Sequence, residues 1–156
     1  MIDSVFFDYK VDLINNTQHS LKTLDIDELK SEFKGRIYII FKYDKPKKRN
    51  FIVLETGIID YLLQFNIVIK EIEMGNYTPF SVSCDYYSNS LSYHYFKEND
   101  NLEIYEGNDG IFTITCKYKK FKSNYEEFRK KTIYELVTVY PELKENIAFL
   151  ENFQID

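Results

Sequence analysis

Apolar and polar positions along this chain alternate in some stretches and recur at helical spacing in others. Residues 5–13 set Val5, Phe7, Tyr9, Val11 and Leu13 against Phe6, Asp8, Lys10 and Asp12, the period-two pattern of a half-buried strand. Asn15-Asn16-Thr17 ends it. Residues 24–33 read as a short helix, with Asp25 or Asp27 as its cap and Gly35 at its exit. Residues 36–43 (Arg36 to Tyr43) are apolar on both faces in the middle, which predicts a central strand or one covered by a helix. A basic turn follows at 44–50, and Phe51-Ile52-Val53-Leu54 is the strand that pairs back.

From Ile58 to Met74 the stripe Ile58, Leu62, Phe65, Ile69, Ile72 recurs at three and four residues, a helix period. Tyr61, Leu63, Ile67 and Val68 widen the apolar face, so the helix is predicted to be mostly buried against a sheet. Thr56 is the expected N-cap, with Asp60 in the first turn where the helix dipole favours a negative charge. Asp60, Gln64 and Glu71, with Lys70 and Glu73 beside them, form the expected wet line. Gly75-Asn76 is the expected C-cap.

Residues 80–119 read as an antiparallel meander with one apolar and one polar face. Phe80, Val82, Cys84 and Tyr86 face one way, followed by Leu91, Tyr93 and Tyr95. Leu102 to Tyr105 make a short strand. Phe112, Ile114, Cys116 and Tyr118 form the last, after a Gly107-Asn108-Asp109-Gly110 hairpin loop. Ser123-Asn124-Tyr125-Glu126 is a capping-box pattern that opens a helix with Tyr125, Phe128, Thr132, Leu136 and Val139 inward. Tyr140-Pro141 ends it, and Pro141 opens a last helix with the stripe Leu143, Ile147, Leu150. Runs of strands beside runs of helices predict an α+β fold, an antiparallel meander packed against helices, with residues 1–156 as a single domain.

Composition changes this picture little. Hydrophobic residues are 44% and charged residues 29% of 156, the range of ordinary globular proteins, which excludes a disordered or collagen-like chain. Ile, Asn, Lys, Tyr and Phe are abundant and Ala148 is the only alanine, the imprint of AT-rich coding. The N-terminus carries no basic segment followed by an apolar run, so a cytoplasmic location without membrane association is expected. Cys84 and Cys116 fit inward strand positions and are expected as free, packed thiols.

Candidate chemistry is sparse. A Ser-His-Asp or Cys-His site needs a nucleophile and a base within hydrogen-bond reach. His19 falls in a loop and His94 on the polar strand face, opposite the cysteines. Cys84, Cys116 and His94 match no zinc spacing, and no phosphate-binding glycine loop occurs. No cofactor, metal or catalytic residue is therefore expected, and the chain reads as a non-enzyme. Two basic turns, 45–49 and 117–122, stand against an overall charge of −5 and a pI near 5.2, so no nucleic-acid partner is expected.

The charge is unevenly spread. Residues 1–50 carry a net +2 and residues 117–156 a net +1, whereas residues 51–116 hold two basic against ten acidic side chains, net −8. The same block holds seven tyrosines. An acidic surface laced with Tyr suits docking of a basic protein, because opposed fields speed encounter and Tyr anchors carry interface energy. The expected contact residues are Asp85, Tyr87, Glu98, Asp100, Glu103 and Glu106.

In plan, residues 51–153 resemble the small acidic α+β immunity proteins of bacterial toxin systems, including contact-dependent growth inhibition. The resemblance lies in the buried helix from Ile58, the Phe80–Tyr118 meander and the closing helices from Tyr125 and Pro141. It implies a cytoplasmic protein without catalysis that blocks a cognate toxin, often a basic nuclease, by occluding its active site. The alternatives are an adaptor or self-associating protein of a mobile element, and a small enzyme without a recognisable motif.

Overall fold

The computed structural model describes residues 2–12, 20–43, 51–82, 91–106 and 113–153. In chain order these form β1 (Ile2–Val11), a 3-10 turn (Leu21–Thr23), α1 (Ile26–Glu32), β2 (Lys34–Tyr43), β3 (Phe51–Gly57) and α2 (Ile58–Glu73). Then come β4 (Phe80–Ser81), β5 (Leu91–Phe96), β6 (Asn101–Glu106), β7 (Thr113–Lys117), α3 (Tyr118–Val139), a second 3-10 turn (Pro141–Glu145) and α4 (Ile147–Phe153). The protein is α+β, with antiparallel sheet packed against helices. Its strands divide into a three-stranded sheet, β1-β2-β3, and a four-stranded meander, β4-β5-β6-β7.

In the first sheet the alternation works as its pattern demands. Val5, Ile37, Ile39, Phe41 and Leu54 are buried, and Phe6, Asp8 and Lys10 face out. The double-sided apolar run of β2 belongs to the central strand. Asp25 accepts the Glu28 N–H at 2.8 Å and caps α1. Gly35 does not end that helix. It lies in β2 opposite Val11, where a Cβ would collide with the Lys10 carbonyl oxygen, so glycine lets the two strands close up.

α2 packs on β2 and β3, and α3 packs on β1. Their meeting point is a knot of rings: Phe7 lies 5.4–5.8 Å from Phe65, Phe121, Tyr125 and Phe128. Tyr125 is buried there with its hydroxyl satisfied at 2.7 Å by both Leu62 O and Asn66 Oδ1. One contiguous cluster of buried side chains runs from this knot through the inner face of the meander, where Leu91, Tyr93, Leu102, Ile104, Ile114 and Cys116 lie.

Several expectations are corrected by tertiary contacts. Thr56 is not the cap of α2. β3 runs on to Gly57, the N-cap, and the first helical N–H, of Ile58, is satisfied by Phe33 O at 2.7 Å. Asp60 and Gln64 are buried rather than wet, and Asp60 is covered by α1, which packs beside α2. Asp60 is 3% exposed, with Lys30 Nζ at 4.0 Å. Ile67, expected on the apolar face, is exposed. Gly75 does take the left-handed conformation (φ +91°) that closes α2.

At the other end, α3 starts at Tyr118 rather than Tyr125, so Ser123 and Glu126 sit inside it. Val139 is exposed, while Ile133 and Val137 join the core. Residues Pro141–Glu145 form a 3-10 turn, and helix resumes only after Asn146. That break rotates the last stripe: Phe149 and Phe153 point in and Ile147 points out. Asn146 is itself buried. It donates to Leu21 O at 2.6 Å and Leu24 O at 2.9 Å, and its Oδ1 accepts the Phe149 N–H at 2.8 Å.

Candidate functional site

The acidic block folds into β3, α2 and the meander, and four of its acids, Glu71, Glu73, Glu98 and Asp100, lie around one corner. There the end of α2, the β5–β6 turn and the start of α3 meet. Gly75 turns the chain out of α2. Asn76 Nδ2 then donates to Glu71 Oε2 at 2.9 Å, and its Oδ1 accepts the Thr78 N–H and hydroxyl at 3.2 and 2.8 Å. This local turn holds Tyr77 at the surface, 42% exposed.

The β5–β6 turn is tied down by its own acid. Asp100 sits at φ 56°, a left-handed conformation that Asp tolerates better than most residues. Its backbone oxygen accepts the Tyr118 N–H at 2.9 Å, and Oδ2 accepts the Lys119 N–H at 3.2 Å. Asp100 thus caps α3 from outside the helix, where Lys117, the N-cap, offers no side-chain bond. Oδ1 accepts the Tyr95 hydroxyl at 3.2 Å. Lys117 Nζ donates to Asn99 O at 2.6 Å and Asn101 Oδ1 at 2.9 Å, closing the turn onto β7.

Behind Tyr77 stand two more rings. Tyr77 and Tyr95 lie 5.7 Å apart, and Tyr95 and Tyr118 lie 5.0 Å apart. Glu73 Oε1 accepts the Tyr118 hydroxyl at 2.8 Å and pairs with Lys122 Nζ at 2.9 Å. These two hydrogen bonds, that from Lys122 first, hold the Glu73 carboxyl below its usual range against partial burial. Burial and the Glu73 bond raise the Tyr118 phenol, and burial and the Asp100 bond raise that of Tyr95. The Tyr118 and Tyr95 rings therefore stay neutral at physiological pH. Lys97, from the turn, lies over the Tyr77 ring with Nζ 5.6 Å from its centroid.

The expected contact residues separate here. Asp100 is engaged inside the molecule. Glu98 is exposed on the same turn. Glu103 is half-buried in β6, opposite His94 of β5 and Thr115 of β7, on the sheet face away from Leu102 and Ile104. Glu106 ends β6 opposite Leu91. Asp85 and Tyr87 lie outside the described residues, as does Cys84. Nothing in the spacing of Tyr77 and Lys97 signals their contact. It is made only when the α2 exit and the β5–β6 turn are brought side by side.

Cys116 is buried, and burial, with the nearby Asp100 charge, pushes its thiol up to about 12, so it stays protonated. His94 packs against Phe96, with ring centroids 4.0 Å apart. Among the described residues, no group of three His, Cys, Asp or Glu side chains is arranged to hold a metal ion. A shallow groove of about 200 Å³ lies elsewhere, between β1 and α3, lined by Phe6, Phe7, Asn124, Glu127, Phe128 and Lys131. No helix among the described residues is long and apolar enough to cross a membrane. Comparison with family models, curated proteins and solved structures finds no match to the chain.

Proposed function

We propose that the protein is an immunity protein: it binds a cognate toxin, probed first as a basic nuclease, and occludes its active site in the cytoplasm. The observation that supports this reading is the build of this corner. Glu98 and Tyr77 are presented to solvent on a turn and a helix exit that Asp100, Asn76, Lys117 and Glu73 lock from within. A locked surface loses little conformational freedom on binding, so more of the contact energy appears as affinity. Residues 51–116 carry a net −8, which favours a basic partner for the block as a whole, while at the corner itself Lys97, Lys117, Lys119 and Lys122 stand among the acids.

The test is co-purification with the product of the adjacent upstream gene, at low and high salt, together with rescue of cells expressing that product. A one-to-one, salt-sensitive complex that relieves toxicity is expected. Glu98→Lys slows association and flattens the salt dependence while leaving the melting temperature unchanged, as expected for an exposed charge at the rim of an interface. Absence of a complex, or full rescue with unaltered association by Glu98→Lys and Glu103→Lys together, overturns this placement.

One observation favours the adaptor or self-associating reading instead. On the outer face of the three-stranded sheet, Phe6 and Ile40 pair directly across β1 and β2, and Val53 pairs with Tyr38 beside them. Phe6, Ile40 and Val53 are all exposed. Contiguous exposed apolar side chains mark contact surfaces. Sedimentation that shows concentration-dependent association of the chain alone, abolished by Phe6→Ser with Ile40→Ser, would favour that reading.

A further inference from the structure

β1 is an edge of the three-stranded sheet, and among the described residues it pairs only with β2. Three bonds fix which way its backbone groups point. The Asp12 N–H donates to Lys34 O at 2.9 Å and continues the ladder to β2. Asn124 Nδ2 donates to Val5 O, and the Tyr9 N–H donates to Asp8 Oδ1 at 2.8 Å. Hydrogen-bonding sides alternate along an antiparallel strand. The even residues therefore serve β2, and the backbone groups of Val5, Phe7, Tyr9 and Val11 point off the edge. Asn124 of α3 takes that side at Val5. Beside Phe7 the shallow groove between β1 and α3 leaves it open.

A row of outward N–H and C=O groups is a template for another strand. The charges decide which strand. Asp8 and Lys10 flank Tyr9 on the outer face, and both are exposed. Charges on an edge ordinarily keep a second strand away. Against an antiparallel copy of β1 centred on Tyr9 they attract instead. Tyr9 then meets Tyr9, and Phe7 meets Val11, in hydrogen-bonded pairs. Asp8 stands opposite Lys10 twice, in the non-hydrogen-bonded pairs where side chains come closest. A centre at Asp8 or at Lys10 sets like charges face to face. A centre at Phe7 needs the Val5 carbonyl that Asn124 holds, and one at Val11 runs past the end of the strand.

We infer that the β1 edge is a self-association site, at which a second copy of this chain pairs antiparallel about Tyr9 and the two three-stranded sheets become continuous. The Tyr9 N–H exchanges the Asp8 carboxylate for the Tyr9 carbonyl of the second copy, and Asp8 turns to the opposing Lys10. The bond given up is exposed, so little is lost in the exchange. The Tyr9 hydroxyl keeps its place on Glu135. Phe7 to Val11 is a short run beside the roughly 20–30 residues a side of a standard interface, so the dimer is weak and depends on concentration. The inference is independent of the immunity reading.

Sedimentation velocity of the full chain at low salt, from micromolar to millimolar concentration, tests it by charge exchange. The parent should associate as concentration rises. Asp8→Lys or Lys10→Asp alone sets like charges opposite each other in both pairs and should weaken association about ten-fold or more. Asp8→Lys combined with Lys10→Asp restores the complement and should recover it. An equimolar mixture of the two single variants should recover it as well. Glu151→Lys makes the same change in net charge as Asp8→Lys, at an exposed site on α4, and should leave association unaltered.

A parent that stays monomeric at millimolar concentration would overturn the inference. So would association indifferent to the single exchanges, or a loss that neither the combined exchange nor the mixture recovers. Association lost with Phe6→Ser and Ile40→Ser but kept in the single exchanges would place the contact on the outer sheet face and overturn the edge. Each of these results leaves the toxin complex to its own test.

Discussion

Two aromatic clusters organise this molecule, and they differ in how they treat water. Around Phe7 the rings of Phe65, Phe121, Tyr125 and Phe128 meet edge-on or stacked, and the one hydroxyl among them, of Tyr125, is satisfied by Leu62 O and Asn66. Around Tyr95 the rings of Tyr77 and Tyr118 stand in a row from surface to interior, and the hydroxyls of Tyr95 and Tyr118 end on carboxylates. The first cluster stabilises by removing apolar area from water. The second spends its polar groups on holding a turn, a strand end and a helix start in one geometry. Aromatic residues alone do not tell the two apart. What separates them is whether an acid is within reach of the hydroxyl and whether a neighbouring element covers the ring.

The sharpest way to break this contrast is in the dry cluster. Leu62 is fully buried beside it, and Leu62→Ala is expected to cost about 2–5 kcal/mol of unfolding free energy, the transfer and cavity terms together. Urea denaturation reads this directly, and unchanged stability would mean that the buried face of α2 is misplaced. Next comes the closure of the C-terminal segment. Asn146→Ala strips partners from Leu21 O, Leu24 O and Phe149 N and should cost about 1–3 kcal/mol. A loss this large is expected in thermal and chemical melts alike.

At the wet corner the effects are smaller. Asp100→Gly keeps the left-handed backbone and removes only the side-chain bonds to Tyr95 and Lys119, so about 1 kcal/mol is expected, the scale of a lost helix cap. No loss at all would free Asp100 for a partner and blur the distinction between Asp100 as frame and Glu98 as contact. The smallest effect is in the pH dependence. The Glu73 carboxyl is held below its ordinary value near 4.5 in the folded state. Its stabilisation is therefore complete above that value and is lost as pH falls through the lowered one. Lys122 is raised by the same pair, so its share is complete below the ordinary lysine value and lost as pH rises through the raised one. Urea midpoints at pH 7 and pH 3 should differ less in Glu73→Gln than in the parent. The pair is largely exposed, so the difference is modest and shrinks with salt.

Much of the architecture follows from local pattern. The alternation in β1, the double-sided run of β2, the helical stripe of α2 and the stop at Tyr140-Pro141 are each decided by residues adjacent in sequence, because burial of one face needs only the right period. The acidic bias of residues 51–116 is likewise plain from the residues themselves.

What the tertiary structure decided concerns partners far apart in the chain. Asp60 is buried because α1 packs beside α2, which no periodicity in α2 announces. α3 begins at Tyr118 because Asp100, in another turn, takes up its first N–H groups, and a capping box at Ser123 cannot compete with a cap already supplied. Asn146 resets the last helix because its amide reaches Leu21 and Leu24 near the other end of the chain. The same holds for the corner itself. Its acids and tyrosines are visible as a composition, but which acid becomes frame and which stays exposed depends on which hydroxyls and N–H groups folding places within about 3 Å, the reach of a hydrogen bond.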